Sequence, residues 1–152
     1  MKVSNDNPVI DSPIEMLMIN AIDDKANELM EKDNNWEIHI NPQWTFKVDG
    51  NNYKVDIGLQ IIYMTEKKYN SFSQSYFIEC DGYDYHYRNK KQVTKDRKRE
   101  RKLMKRCRNL IRFTGTEIYN DVENCVEELF DIIKKDISCV TPPVHDTGVY
   151  DN

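Results

Sequence analysis

The chain reads as an α/β protein with a mixed central sheet flanked by helices, and three observations predict that class. An apolar-periodic helix opens behind the capping sequence Ser12-Pro13-Ile14-Glu15. Two alternating segments, residues 44–48 (WTFKV) and 53–57 (YKVDI), enclose the turn residues Asp49-Gly50-Asn51-Asn52 and read as a β-hairpin. A strand, a long basic helix and a short apolar strand then follow, the order of a β-α-β crossover. The predicted order is α-β-β-β-α-β-α, with helices on both faces of the sheet.

The first helix carries Ile14, Leu17, Met18, Ala21, Ile22 and Leu29 on one face and stops at Asp33-Asn34-Asn35. A short strand at 36–40 is expected to break at Asn41-Pro42, before the hairpin. On the second hairpin strand Tyr53, Val55 and Ile57 are expected on one face, with Asp56 on the other. Ile61-Ile62-Tyr63 can extend that strand, and 66–74 reads as a polar loop. The third strand is placed at 76–80, the basic helix at 90–108 and the last strand at 110–113. Thr114-Gly115-Thr116 turns the chain. Asn120 with Glu123 then reads as a second capping box, opening a helix with Val122, Cys125, Val126, Leu129, Phe130 and Ile133 on its apolar face. Residues 1–11 read as a loose lead-in, 12–137 as one domain and 138–152 as a flexible tail.

Composition narrows the function. At 152 residues, 39% apolar and 11% aromatic, the chain can bury a core and is not a disordered polymer. The net charge of −4 conceals a segregation. Of the 22 Lys and Arg, 13 fall between Arg88 and Arg112, against only 2 of the 26 acids, Asp96 and Glu100. A basic block within an otherwise acidic chain points to a polyanionic partner. No apolar run approaches a membrane span, and the first residues lack the pattern of a signal peptide. The cysteines Cys80, Cys107, Cys125 and Cys139 form no CxxC pair, which argues against a zinc site, and three sit in segments where a buried free thiol is expected. The expectation is a cytoplasmic chain with no membrane partner.

The chemistry concentrates between Ser75 and Phe113, where a strand ends in Glu79-Cys80-Asp81, turns at Gly82, passes His86 and enters the basic helix. Asp56 lies on the neighbouring strand. Two carboxylates brought together raise each other's pKa unless a cation compensates. A hard divalent ion such as Mg²⁺ does so, and its bound water can become the attacking hydroxide on a phosphate ester. The plain alternative is that both are solvated acids at strand ends. Basic residues behind them, Lys90, Lys91, Lys95, Arg97, Lys98 and Arg101, can neutralise phosphates without reading sequence. Asp96, Arg99 and Leu103 fall together at helical spacing.

Four pieces of this sequence carry a family resemblance: SPIE at the first helix, VD on the hairpin, ECDG with a following histidine, and D-x-x-R-x-x-x-L leading to LIRFTGTEI. In that order the chain resembles the PD-(D/E)xK nuclease superfamily, and within it the small standalone branch related to very-short-patch-repair endonucleases. The resemblance spans roughly residues 12–135. It implies a restriction-endonuclease-like αβββαβ core plus a C-terminal helix, and Mg²⁺-dependent endonucleolytic cleavage of DNA, with Mn²⁺ as a substitute. It implies Asp56 and Glu79 as metal ligands, and Asp81, standing where the superfamily usually has lysine, as a further metal ligand or a water-orienting group. It further implies His86 as general base or leaving-group acid, Glu15 as an approach to the metal through water, and Arg112 in support; Asp96 and Arg99 fall on the matched motif and so are expected to face the site or brace one another, with Arg99 also counted among the DNA contacts. Without the resemblance, Glu15 completes the capping box, His86 is one ring among Tyr83, Tyr85 and Tyr87, and Arg112 braces Glu117 or Asp81. So small a chain carries few specificity elements, which implies a specificity partner protein or low specificity. Two other readings stand beside the nuclease: a catalytically inactive nucleic-acid-binding module on the same fold, and a protein-interaction domain whose basic helix meets an acidic partner.

Overall fold

In the computed structural model, which describes residues 12–65, 71–82 and 89–140, helix α1 (Pro13–Lys32) starts where its sequence dictates. Ser12 adopts the extended N-cap conformation, its hydroxyl accepts the Glu15 N–H, and Pro13 takes the first helical position. Ile14, Met18, Ile22 and Ala26 are the buried face, so Leu17 of the expected stripe points outward instead. Strands β1 (Trp36–Val48), β2 (Asn51–Tyr63) and β3 (Phe72–Asp81) follow, then α2 (Lys90–Arg106), β4 (Leu110–Thr114) and α3 (Gly115–Val140).

The four strands lie in the order β1-β2-β3-β4. β1 pairs antiparallel with β2, β2 antiparallel with β3, and β3 parallel with β4 through α2. The sheet is mixed, as the sequence predicts. The expected break at Asn41-Pro42 does not occur. β1 is an edge strand, where proline's missing N–H need not face a partner, so the strand runs through Pro42 opposite Ile57. The hairpin turn is tighter than the four residues expected. Val48 pairs with Asn51, leaving Asp49 and Gly50, both at positive φ, as a two-residue turn whose twist matches the strands.

Two cores pack against the sheet. Tyr76 and Ile78 of β3 join Ile57, Leu59 and Ile61 with α1 and α3, including Met18, Ile22, Leu129, Phe130 and Ile133. Phe77, between them on the strand, faces the other way and packs with Val55, Leu103 and Cys107 under α2. Val55 and Ile57 were expected on one face, yet they fall in different cores. Both hairpin strands change face at the same place: Ile40 packs with α1, whereas Trp44 packs on the α2 side. Between the pairs Pro42↔Ile57 and Trp44↔Val55, Gln43 and Asp56 stand opposite one another without pairing, and Gln43 has φ +51. The face change also seats the Trp44 indole on Gly58, where a Cβ would lie 1.8 Å from Trp44 Cε3.

Other boundaries moved for local reasons. β3 starts at Phe72, inside the expected polar loop, because Phe72 is buried opposite Tyr63. α2 is opened by a reciprocal capping box between Asn89 and Gln92 and ends with Cys107 as its C-cap. In α3 the second cap is Asp121 rather than Asn120: its backbone is non-helical, and its carboxylate accepts the Asn124 N–H at 3.0 Å. Thr114 and Glu117 form a further reciprocal cap. α3 continues through Val140, into the start of the expected tail. The four cysteines are free thiols, with Cys80, Cys107 and Cys125 buried.

Candidate metal and nucleic-acid site

The β2–β3 ladder ends at Ile57↔Ile78. One step further, the register would set Asp56 across from Glu79, but the strands part there. The Asp56 carboxylate fills the fork by accepting the Cys80 N–H at 2.8 Å, where a backbone bond would otherwise be lost. Glu79, only 7% exposed, receives the Arg99 guanidinium of α2 at 3.2 Å. That arginine also donates to the Lys54 carbonyl on β2, so it bridges the two arms of the fork.

Both carboxyls sit above their ordinary pKa. Burial is the main cause for Glu79, followed by the Asp56 charge, against the opposing pull of Arg99. For Asp56 burial again leads, opposed by the Cys80 N–H and Arg99. Glu15 joins this group from α1: burial and then the Asp56 charge raise its pKa, while the hydrogen bond from Gln43 lowers it. At the fork, burial of the two acids outweighs the pull of Arg99 on them.

Asp81 is placed differently. It is 9% exposed and takes a two-pronged contact from Arg112 on β4, Nε to Oδ2 at 3.0 Å and a terminal nitrogen to Oδ1 at 3.3 Å. The parallel pairing Glu79↔Arg112 and Asp81↔Thr114 brings the arginine beside it. Of the two plain partners considered for Arg112, Asp81 is the one it takes, since Glu117 caps α3. Among the described residues no three His, Cys, Asp or Glu side chains gather into a metal-holding group. The oxygen donors of the kind that a hard divalent cation takes are Asp56 and Glu79; Asp81 already has its cation. His86, with Tyr83, Tyr85 and Tyr87, lies outside the described residues.

α2 crosses the hairpin on this face. Asp49 at the turn accepts from Lys102 at 2.7 Å and Lys105 at 2.9 Å, and this pins its carboxyl at about 2. Arg97 pairs with Glu100 at 2.8 Å, and Arg112 approaches Glu100 at 3.9 Å. Asp96 is half-buried on the inner side of the helix. Lys90, Lys91, Lys95, Lys98 and Arg101 are exposed, with no side-chain partner among the described residues. The expected phosphate-contact pool thus divides into free cations and ones already spent on α2 or the hairpin.

Sequence reasoning missed Gln43, whose amide donates to Glu15 Oε2 at 2.5 Å, and the Asp49 clamp on α2. Neither has a local signature, because each depends on how the hairpin lies over another element. The chain matches no protein-family model, and no curated protein or solved structure is significantly similar to it.

Proposed function

We propose that the chain is a metal-dependent endonuclease hydrolysing DNA phosphodiester bonds. The observation that carries this reading is the β2–β3 fork, where Asp56 and buried Glu79 meet beneath a helix whose exposed lysines have no side-chain partner among the described residues. The α-β-β-β-α-β order and the parallel β3–β4 crossover support the restriction-endonuclease-like arrangement that the motifs imply.

Asp56 and Glu79 would hold a Mg²⁺ ion, which supplies an acidified water and stabilises charge on the phosphoryl oxygens. The protein's own parts divide the remaining work. The Cys80 N–H fixes the Asp56 carboxylate in the fork. Arg99 opposes the effect of burial on Glu79 and bridges it to the Lys54 carbonyl, holding α2 over the site. Lys90, Lys91, Lys95, Lys98 and Arg101 present positive charge to the DNA backbone, which gives affinity that falls steeply with salt.

A second reading, a binding module without catalysis, is favoured by one observation: Asp81 replaces the usual lysine and is fully engaged by Arg112. A supercoiled-plasmid nicking assay separates the two, with wild type beside Glu79→Ala in Mg²⁺, Mn²⁺ and EDTA. The nuclease reading expects metal-dependent nicking that the substitution abolishes. No nicking, with a salt-sensitive gel shift retained, replaces it with the binding module.

A further inference from the structure

The hairpin outruns the sheet. β2 parts from β3 at Ile57↔Ile78, whereas its pairing with β1 continues to Val48↔Asn51. Residues 43–56 are therefore a two-stranded ribbon standing beyond the last β3 pair. Trp44, Phe46, Tyr53 and Val55 turn one face of it onto the α2 side. Alternation sends Thr45, Lys47, Asn52 and Lys54 to the other face, and all four are exposed. Lys47 stands opposite Asn52 and Thr45 opposite Lys54, and a hollow of about 390 Å³ there is lined by Thr45, Phe46, Lys47 and Asn52. This face carries two lysines and no acid. Of the two acids in the ribbon, Asp56 fills the fork, and Asp49 at the turn is drawn to α2 by Lys102 and Lys105. The same lysines tie the tip of the ribbon to α2, while Trp44, seated on Gly58 and Phe77, ties its base. The exposed side chains thus project from a braced support, as a recognition element requires.

We propose that the exposed face of this ribbon enters the major groove of double-stranded DNA, where Lys47 and Asn52 read base edges. The major groove, about 12 Å wide, admits a two-stranded ribbon, and the minor groove is only about half that width. Asparagine pairs with adenine through N6 and N7, and lysine takes O6 and N7 of guanine. Lys54, nearer the fork, meets a phosphate and so positions without reading. From Asn52 to Asp56 the strand advances about 13 Å at about 3.3 Å per residue, the length of about four base pairs. The bases read therefore lie about four pairs from the bond cut at the fork. The inference rests on DNA as the partner, which the nuclease and the binding module share, and it names the substrate as duplex read through its major groove.

The test uses the full chain as wild type, Lys47→Ala and Asn52→Ala. The probe is a pool of random-sequence DNA duplexes, sequenced both at the ends cut in Mg²⁺ and among the duplexes retained in a gel shift in EDTA. Wild type should prefer particular bases about four pairs from the cut. Each substitution should weaken the preference at its own position by about 5–150-fold, the worth of a good base contact, and leave the other position as it was. Both variants should keep the wild-type thermal midpoint, because both side chains are exposed. Cutting without base preference in wild type, or with the wild-type preference intact in both variants, overturns the inference and leaves the nuclease reading standing. If wild type cuts nothing, that reading falls and the retained duplexes decide. A base preference lost in Lys47→Ala or Asn52→Ala then upholds the ribbon as the reader, and its absence overturns it. Tighter retention of the same sequences as single strands than as duplexes overturns it as well.

Discussion

Replacing Gly58 with alanine drives a methyl group into the Trp44 indole. The new Cβ would sit 1.8 Å from Cε3 and 2.8 Å from Cδ2 and Cζ3, so the ring must retreat by at least about 1.6 Å to restore an ordinary 3.4 Å contact. Retreat is obstructed, because Trp44 packs edge-on against Phe77 at 5.6 Å, and Phe77 is itself stacked on Phe46 at 4.9 Å. Overpacking of this kind costs about 1–3 kcal/mol, and loss of the aromatic pair adds about 0.5–1.5 kcal/mol. The expected destabilisation is therefore about 2–4 kcal/mol, a midpoint fall of roughly 4–16 °C for a domain of this size. Urea unfolding followed by circular dichroism measures it directly. The control is the Trp44→Ala background: with the indole gone, the same methyl has room, and its penalty should shrink by at least about 1 kcal/mol. A Gly58→Ala protein within about 0.5 kcal/mol of wild type would refute the reasoning, as would an equal penalty in both backgrounds. Either result would mean that the face change in the hairpin adapts more freely than its packing implies.

Arg112→Ala leaves the nearly buried Asp81 carboxylate without its cation, and should cost about 2–4 kcal/mol, below the full cost of a buried pair because Arg112 keeps some contact with water. Adding Asp81→Asn should restore part of the lost midpoint, and a double variant no better than Arg112→Ala would show that the pair is idle. Glu79→Gln tests the fork electrostatically. Burial and Asp56 raise the Glu79 carboxyl above its ordinary 4.5, so its ionisation opposes folding at high pH. That cost is absent while the group is protonated in both states, appears as pH rises from the unfolded value to the raised folded one, and is complete above it. Glu79→Gln should therefore match wild type in stability near pH 3 and exceed it near pH 8; the reverse order would show that Arg99 outweighs burial. Asp49→Asn releases Lys102 and Lys105 from the hairpin turn. In DNA-binding titrations the log–log salt slope should steepen by up to about 2, and an unchanged slope would place those lysines away from the phosphates.

The sequence by itself determined the elements and the charge map. Capping at Ser12, the Asp-Gly turn, the β3–α2–β4 crossover and the apolar face of α3 are local signals, set by backbone conformation and by the 2- and 3.6-residue periods. Asp56 and Glu79 were legible as a pair for the same reason: each lies on a strand whose partner is fixed by a neighbouring turn or crossover. Three features were decided only by tertiary structure. Whether Pro42 breaks β1 depended on that strand lying at the sheet edge, which no local pattern records. Which cation answers Asp81 depended on the β3–β4 register, which sets Arg112 two pairs away across 31 positions of sequence. The twist that separates Val55 from Ile57, seats Trp44 on Gly58 and turns Gln43 to Glu15 arose where the hairpin had to satisfy two cores at once. Alternation along one strand fixes which residues share a face only while the strand stays regular. Here the sheet must serve α1 and α3 on one side and α2 on the other, and it changes face at the point where its acidic residues meet.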